Sequence, residues 1–254
     1  MFKYLSLATL FCSFPLFASV PQLPSVVDFN RLPSIENGYY SAFDENAYRV
    51  GYYSFNYAPE LTAIFAYLKR TYNIDTVVET GTFRGGTTVL FSYLFDYVHT
   101  IEIQKSTYEQ SKQMLQSHPN VQCHLGSSEQ VLTELLPKLT EKPLIFYLDA
   151  HWDSYWPLLD ELKIIGQTHR DNCIIVIDDF KVPQRPEIDY DRYGVHECSY
   201  EYIRADLDKV FSAYTLHYLI PKSVKCRAKF IAIPAVWKKT RVQADIGSEP
   251  QVDR

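Results

Sequence analysis

The segment Thr76-Val-Val-Glu-Thr-Gly-Thr-Phe-Arg-Gly-Gly-Thr87 decides the fold class of this chain. Its start is rich in β-branched residues and predicts a buried strand, while the glycines predict a tight turn that opens a helix. Ligands of doubly wound sheets bind at the carboxyl ends of the strands, where Gly81 would let a ligand approach the backbone closely. The spacing Gly-x-x-x-Gly-Gly departs from the Gly-x-Gly-x-x-Gly of dinucleotide-binding folds, so a pyrophosphate cofactor is disfavoured.

Strands and helices alternate on both sides of this turn. Apolar or alternating stretches predict strands at residues 76–80, 97–103, 121–125, 144–148, 173–177, 214–219 and 229–237. Amphipathic stretches predict helices at residues 60–72, 86–95, 106–116, 128–139, 155–168 and 200–211. Apolar strands that are each followed by a helix favour a parallel sheet covered on both faces. We therefore predict an α/β fold, a Rossmann-like three-layer sandwich whose mostly parallel seven-stranded sheet ends in a C-terminal antiparallel hairpin.

The length and composition fit one globular domain. The 254 residues are 46% hydrophobic and 22% charged, which is ordinary globular composition. We predict an irregular lead-in or cap at residues 20–58, the main domain at residues 59–237 and a mobile tail at residues 238–254. The formal net charge of -5 gives no electrostatic footprint for nucleic acid. Nucleic acid is therefore not expected as a partner.

The first 19 residues predict a secretory signal peptide. Lys3 precedes a long apolar run, and small residues follow at Ala18 and Ser19. The run is shorter than the roughly 20 apolar residues that cross a bilayer, so no permanent membrane span is expected. Cleavage would make the protein periplasmic or secreted, whereas an uncleaved start would leave it cytoplasmic. In an exported protein, Cys198 and Cys226 are the candidate disulfide pair.

An acidic residue lies at the end of the second predicted strand of the domain. Glu102 follows Gly81 by 21 residues. At this position, a carboxylate can accept two hydrogen bonds from the hydroxyls of a ribose. Together, the turn, the acid and the strand order predict a nucleoside-containing ligand, although most surface glutamates are merely solvated.

Aspartates follow two further strands at the same predicted edge of the sheet. Asp149 follows one strand, and Asp178 and Asp179 follow the next strand in the chain. Three neighbouring carboxylates repel one another unless a cation neutralises them, and their hard oxygens suit Mg²⁺, Ca²⁺ or Mn²⁺. The alternative is that they are solvated loop acids or helix caps. His151 could be a ligand, a general base or a local hydrogen-bonding residue.

This series of motifs resembles the metal-dependent small-molecule O-methyltransferases of the class I S-adenosylmethionine-dependent type. They include the catechol O-methyltransferase type and the macrocin and aminocoumarin sugar O-methyltransferase type. The resemblance covers about residues 60–180. The motifs that carry it are Glu79-x-Gly81-x-x-x-Gly85, Thr100-Ile101-Glu102-Ile103, Gly126-Ser127-Ser128-Glu129, Asp149 and Asp178-Asp179.

The resemblance implies an S-adenosylmethionine site. Glu79 opens the cofactor-binding motif, and Gly81 and Gly85 would flank the methionine part of the cofactor. Glu102 would hold the ribose. The adenine would lie against two residues at the start of the next helix, Ser128 and Glu129.

The resemblance also implies a divalent cation, Mg²⁺ in the first instance, at Asp149, Asp178 and Asp179. In the sugar-modifying members, the proposed base is a carboxylate two residues after the first metal aspartate; this chain has His151 there. The catechol type has a lysine three residues on, where this chain has Trp152. We therefore predict a methyl transfer to a sugar or phenol hydroxyl, with His151 as the candidate base. The acceptor, the metal and the oligomeric state stay open.

Two other functions compete with this interpretation. Asp149-Ala150-His151-x-Asp153 also matches a manganese-ligand segment of arginase-like hydrolases, but the other two metal motifs of those enzymes are missing from the sequence. A non-catalytic or degenerate exported binding domain is the second, because S-adenosylmethionine is made in the cytosol.

Overall fold

A computed structural model describes residues 26–28, 54–55, 58, 61–151, 155–222 and 227–237. The predicted signal peptide, most of the lead-in, the predicted tail and Cys226 lie outside the described residues. The predictions made for them, including the disulfide, stay predictions. Among the helices in the described part, none combines the length and the apolar character needed to cross a membrane.

The described residues form an alternating series of strands and helices. The strands are β1 (Val26–Asp28), β2 (Thr76–Thr80), β3 (Tyr97–Glu102), β4 (Val121–Leu125), β5 (Leu144–Leu148), β6 (Cys173–Ile177), β7 (Arg192–Tyr193), β8 (His196–Glu197), β9 (Tyr214–Ile220) and β10 (Lys229–Pro234). The α-helices are α1 (Thr62–Tyr72), α2 (Gly86–Leu94), α3 (Lys105–Met114), α4 (Ser128–Leu135), α5 (Leu158–Thr168) and α6 (Tyr200–Val210).

Eight strands make one sheet in the order β1-β9-β10-β6-β5-β2-β3-β4. The strands from β6 to β4 are parallel, whereas β10 is antiparallel to both of its neighbours. The predicted Rossmann-like class, the mostly parallel sheet and the C-terminal antiparallel pair are confirmed. The additional strand β1 pairs with β9 at the edge, within the stretch predicted to be irregular. Three residues are too few for a recognisable pattern in the sequence.

The sheet is buried on both faces. Helices α1 and α2 pack on one face, where Phe65 and Phe91 contact the ring of Tyr147 from β5. Helices α4, α5 and α6 pack on the other face. Burial of each such apolar side chain contributes roughly 1.5–3 kcal/mol. The three layers therefore fix the carboxyl ends of the parallel strands at one edge.

Helix α5 begins later than the sequence predicted. The predicted start was residue 155, but the helix begins at Leu158, directly after Pro157. A proline disfavours the helical conformation of the residue before it, here Trp156. Tyr155 and Trp156 therefore belong to the connection that leads from β5 to the helix, beside the candidate site.

Candidate functional site

The glycine turn after β2 is pressed against the backbone of β5. Gly81 has φ +85, and a Cβ added to it would lie 2.3 Å from the carbonyl oxygen of Asp149. The N–H groups of Gly81 and Thr82 donate to the carbonyl of Ile101 at 3.0 and 3.1 Å. Only glycine fits this position, because both the conformation and the space exclude a side chain. Gly85, with φ +76, faces Met114 of α3.

Glu79 lies beneath this turn and is buried. It accepts hydrogen bonds from Thr88 of α2 and Thr100 of β3. Burial raises the pKa of Glu79 to about 7. Glu79 therefore links β2 to α2 and β3 beneath the glycine turn.

Glu102 lies at the end of β3 and is only 7% exposed. Its Oε2 accepts a hydrogen bond from the N–H of Phe83 at 2.9 Å, and its Oε1 accepts one from the N–H of Gln104 at 2.8 Å. Each carboxylate oxygen has a second lone pair available. The carboxylate is thus held at a fixed place, with capacity for further donors.

Ser128 and Glu129 form the first turn of α4. The hydroxyl of Ser128 is buried and interacts with the buried carboxyl of Glu161. Glu129 accepts a hydrogen bond from the hydroxyl of Tyr155. Tyr155 comes from the connection between β5 and α5, and no motif in the sequence pointed to it. The connection between β5 and α5 therefore contacts the start of α4 at this end of the site.

A cleft of about 470 Å³ opens along the carboxyl edge of the sheet. That volume lies in the usual range for small-molecule pockets. The cleft is lined at one end by Gly81, Phe83, Glu102, Ile103 and Ser128, and at the other by Asp149, His151, Tyr155 and Asp179. It therefore joins the glycine turn to the aspartates.

Three side chains at the second end could hold a metal ion together. One ligand atom each of Asp149, His151 and Asp179 lies within 4.8 Å of the other two. Burial and the neighbouring charge of Asp178 raise the pKa of Asp149 well above its usual range. The same causes raise the pKa of Asp179 to about 7. A cation here would relieve the repulsion that these shifts reflect.

Asp178, the third predicted metal residue, is engaged elsewhere. Its carboxylate forms an ion pair with Lys229 and accepts hydrogen bonds from the hydroxyl of Tyr147 and, at 2.6 Å, from the N–H of Asp179. Burial raises the pKa of Asp178, but the charge and hydrogen bond of Lys229 outweigh it and hold this pKa below the usual range. Asp178 lies beside Asp149 and Asp179, but it is not among the three side chains whose ligand atoms come together.

Two basic residues near β10 compensate the aspartates. Lys229 is fully buried, and Arg227 donates to Asp179 at 2.9 Å and also to Asp191. From the sequence, a divalent cation was the counter-charge expected for the aspartates, and these two side chains were missed. A lysine at the start of an apolar strand was the available signal for Lys229, whereas no local pattern connects Arg227 to residues so far away in the chain.

His151, the candidate base, lies at the open side of the aspartate group. Its side chain is 44% exposed, and its Nε2 lies 3.8 Å from an oxygen of Asp191. The ring of Tyr193 lies 5.7 Å away between centroids, and Tyr193 itself packs on Trp156 at 4.8 Å. The short β7–β8 hairpin therefore supplies an aromatic wall beside His151.

Comparisons with known proteins support the fold. Neither a protein-family model nor a curated protein sequence matches this chain. Among solved structures, the chain is similar to the O-methyltransferase TomG from Streptomyces achromogenes, involved in tomaymycin synthesis, in complex with SAM. The TM-score is 0.52 at 16% identity, over 76% of this chain and 90% of the other.

The chain is also similar to an O-methyltransferase from Bacillus cereus in complex with SAH. The TM-score is 0.53 at 15% identity, over 75% of this chain and 89% of the other. These likenesses show that the chain has the fold of S-adenosylmethionine-dependent O-methyltransferases, as the resemblance in sequence predicted.

Proposed function

We propose that this protein is an S-adenosylmethionine-dependent O-methyltransferase that acts, with a divalent cation, on a sugar or phenol hydroxyl of a small molecule. The observation that carries the proposal is that one cleft contains Gly81 and Glu102 at one end and Asp149 and Asp179 at the other. A methyl donor and an acceptor held by a metal ion would thus lie next to each other in the same cleft.

The first end of the cleft suits the cofactor. The backbone beside Gly81 is accessible because no side chain intervenes, and the fixed carboxylate of Glu102 can accept hydrogen bonds from the two ribose hydroxyls. Ser128, at the start of α4, lines the cleft and could contact the adenine edge. Glu79 and Gly85 would contribute indirectly, by holding the glycine turn and α2 in place.

The second end fits a divalent cation. Within the part of the chain that is described, one buried oxygen of Asp179, Oδ1, has no hydrogen-bond partner. Asp149 offers a second carboxylate, and a ring nitrogen of His151 lies within 4.8 Å of both acids. Carboxylate oxygens suit Mg²⁺ and Mn²⁺. The donor set therefore fits such an ion.

The chemistry follows from this arrangement. A bound divalent cation lowers the pKa of a hydroxyl that it contacts. His151, exposed beside the aspartates, is placed to take the proton from the acceptor. The rigid edge of the sheet would hold the acceptor oxygen in line with the methyl group, so that orientation lowers the barrier further. The aromatic wall of Tyr193 and Trp156 would cover the ring of a phenol or a sugar.

A transfer assay tests the proposal. The full chain is incubated with S-adenosylmethionine labelled in its methyl group, Mg²⁺ and a panel of phenols and sugars. We expect labelled product from the wild type and at least about a hundredfold less from Asp179→Asn, because a charged ligand is lost. Asp160→Asn, which removes an exposed carboxylate paired with Lys163, is the matched control and should retain activity. An Asp179→Asn variant as active as this control would contradict the metal-assisted mechanism.

A further inference from the structure

Lys229 is a buried cation in the wall of the aspartate group. Its side chain is fully buried at the start of β10. The ammonium contacts Oδ1 of Asp178, donates to the carbonyl of Arg227 at 3.1 Å and lies 4.0 Å from Oδ1 of Asp179. A charge that is removed from water in this way persists only when it is paired. Its partner is Asp178.

Asp178 and Asp179 differ in how far their oxygens are satisfied. Asp178 receives hydrogen bonds from Tyr147 and from a backbone N–H, and it pairs with Lys229. Asp179 is bound through Oδ2 by Arg227, while its buried Oδ1 has no hydrogen-bond partner among the residues described. Of the two aspartates, only Asp179 therefore keeps an oxygen without a hydrogen bond, and only Asp179 has a ligand atom within 4.8 Å of ligand atoms of Asp149 and His151.

We propose that Lys229 is the resident counter-ion of Asp178, which makes Asp178 a positioning residue and leaves the carboxylates of Asp149 and Asp179 to bind the divalent cation beside His151. The inference rests on the metal-assisted part of the proposed function. It departs from the assignment by resemblance, in which Asp178 is a metal ligand.

The balance of charge explains why a divalent ion would still bind. The described residues around the group include five carboxylates, namely Asp149, Asp178, Asp179, Asp189 and Asp191, and two basic side chains that pair with four of them, Lys229 and Arg227. Three negative charges are therefore left uncompensated when all five acids are ionised. Lys229 therefore reduces the attraction for a metal ion, and it occupies the carboxylate that would otherwise turn toward that ion.

A metal titration without cofactor or acceptor tests the inference. Mn²⁺ is added to the full chain, and free Mn²⁺ is followed by electron paramagnetic resonance. The key variant combines Lys229→Met with Asp178→Asn, which removes both members of the buried pair and leaves no unpaired charge. We expect its Mn²⁺ affinity to stay within about threefold of the wild type, since neither residue is a ligand and the net charge is unchanged. Asp149→Asn and Asp179→Asn should each weaken binding at least about thirtyfold.

The single variant Lys229→Met adds a readout that a purely structural role would not give. Without the ammonium, the carboxylate of Asp178 is free and the group gains one negative charge. Mn²⁺ should then bind about tenfold more tightly than in the wild type, and the gain should vanish in the combined variant. If the single variant does not fold, the Mn²⁺ affinity of the combined variant alone decides whether Asp178 is a ligand.

The outcomes separate the inference from the function on which it rests. A combined variant that is folded by circular dichroism but loses Mn²⁺ as strongly as Asp179→Asn would make Asp178 a ligand and overturn the inference alone. A wild-type chain that binds no Mn²⁺ would overturn the inference together with the metal part of the proposed function. Binding of S-adenosylmethionine, measured separately, would then show whether the cofactor part survives.

Discussion

The two ends of the cleft stabilise their negative charge in different ways. At the cofactor end, Glu102 is held by two backbone N–H groups, those of Phe83 and Gln104, both close to it in the fold and the second only two residues away in the chain. At the aspartate end, charge is balanced by the side chains of Lys229 and Arg227, which come from a distant part of the sequence.

This difference shows which parts of a site a sequence motif can encode. A backbone donor is supplied by the turn itself, so the glycine motif and the acid are sufficient to specify the first end. Side-chain counter-ions depend on which strand lies beside which. The second end is therefore set by the position of β10 next to β6.

The largest expected effect concerns the point where the two ends touch. Gly81→Ala places a Cβ against the backbone of Asp149 in a conformation with φ +85. Strain and overlap together should lower the free energy of unfolding by about 4 kcal/mol. Chemical denaturation of the variant and the wild type measures this.

Gly194→Ala is the matched control for that variant. Gly194 also has a positive φ, +61, but a Cβ there meets no atom within 4 Å of the described chain. It should cost only about 1 kcal/mol. Equal effects of the two substitutions would show that the contact between the two ends of the cleft is unimportant for stability.

The part of the sheet beside the cofactor end contains a buried histidine pair that should make the stability of the protein depend on pH. His99 of β3 lies 3.2 Å from His124 of β4, between ring nitrogens. Burial and the charge of His124 lower the pKa of His99 from 6.5 to about 4. The unfolded chain therefore binds a proton between these pH values and the folded chain does not, so stability is present above pH 6.5 and is lost as the pH falls toward 4.

The loss attributable to His99 should reach about 3 kcal/mol near pH 4. It is measured as the difference in free energy of unfolding between the wild type and His99→Gln at a series of pH values, which cancels the contributions of groups that do not contact His99. Parallel curves for the two proteins would contradict the assigned shift.

The sequence predicted the cofactor end of the cleft better than the aspartate end. The bounds of β2, β4, β5 and β6 were predicted correctly, because apolar runs between polar turns mark buried parallel strands. The sequence also placed Glu102 and Asp149 at strand ends on one edge. It could not separate Asp178 from Asp179, because adjacent residues differ only in which neighbour each one faces.

A smaller effect concerns the hydrogen bond between Tyr155, in the connection from β5 to α5, and Glu129 in the first turn of α4. Tyr155→Phe removes the hydroxyl that donates to Glu129 and leaves the ring in place. We expect a loss of about 1 kcal/mol in stability, the usual net value of one such bond. A weaker affinity for S-adenosylmethionine should accompany it, and both are measured by denaturation and calorimetry. A variant identical to the wild type in both respects would show that this contact does not shape the cofactor end.

Calorimetric titration of the full chain with S-adenosylmethionine, with and without Mg²⁺, tests the central claim most directly. We expect the wild type to bind the cofactor in both conditions and Glu102→Ala to bind at least about a hundredfold more weakly, since two hydrogen bonds to a charged group are lost. Absence of binding by the folded wild-type chain, or equal binding by Glu102→Ala, would contradict the assignment of this cleft to S-adenosylmethionine.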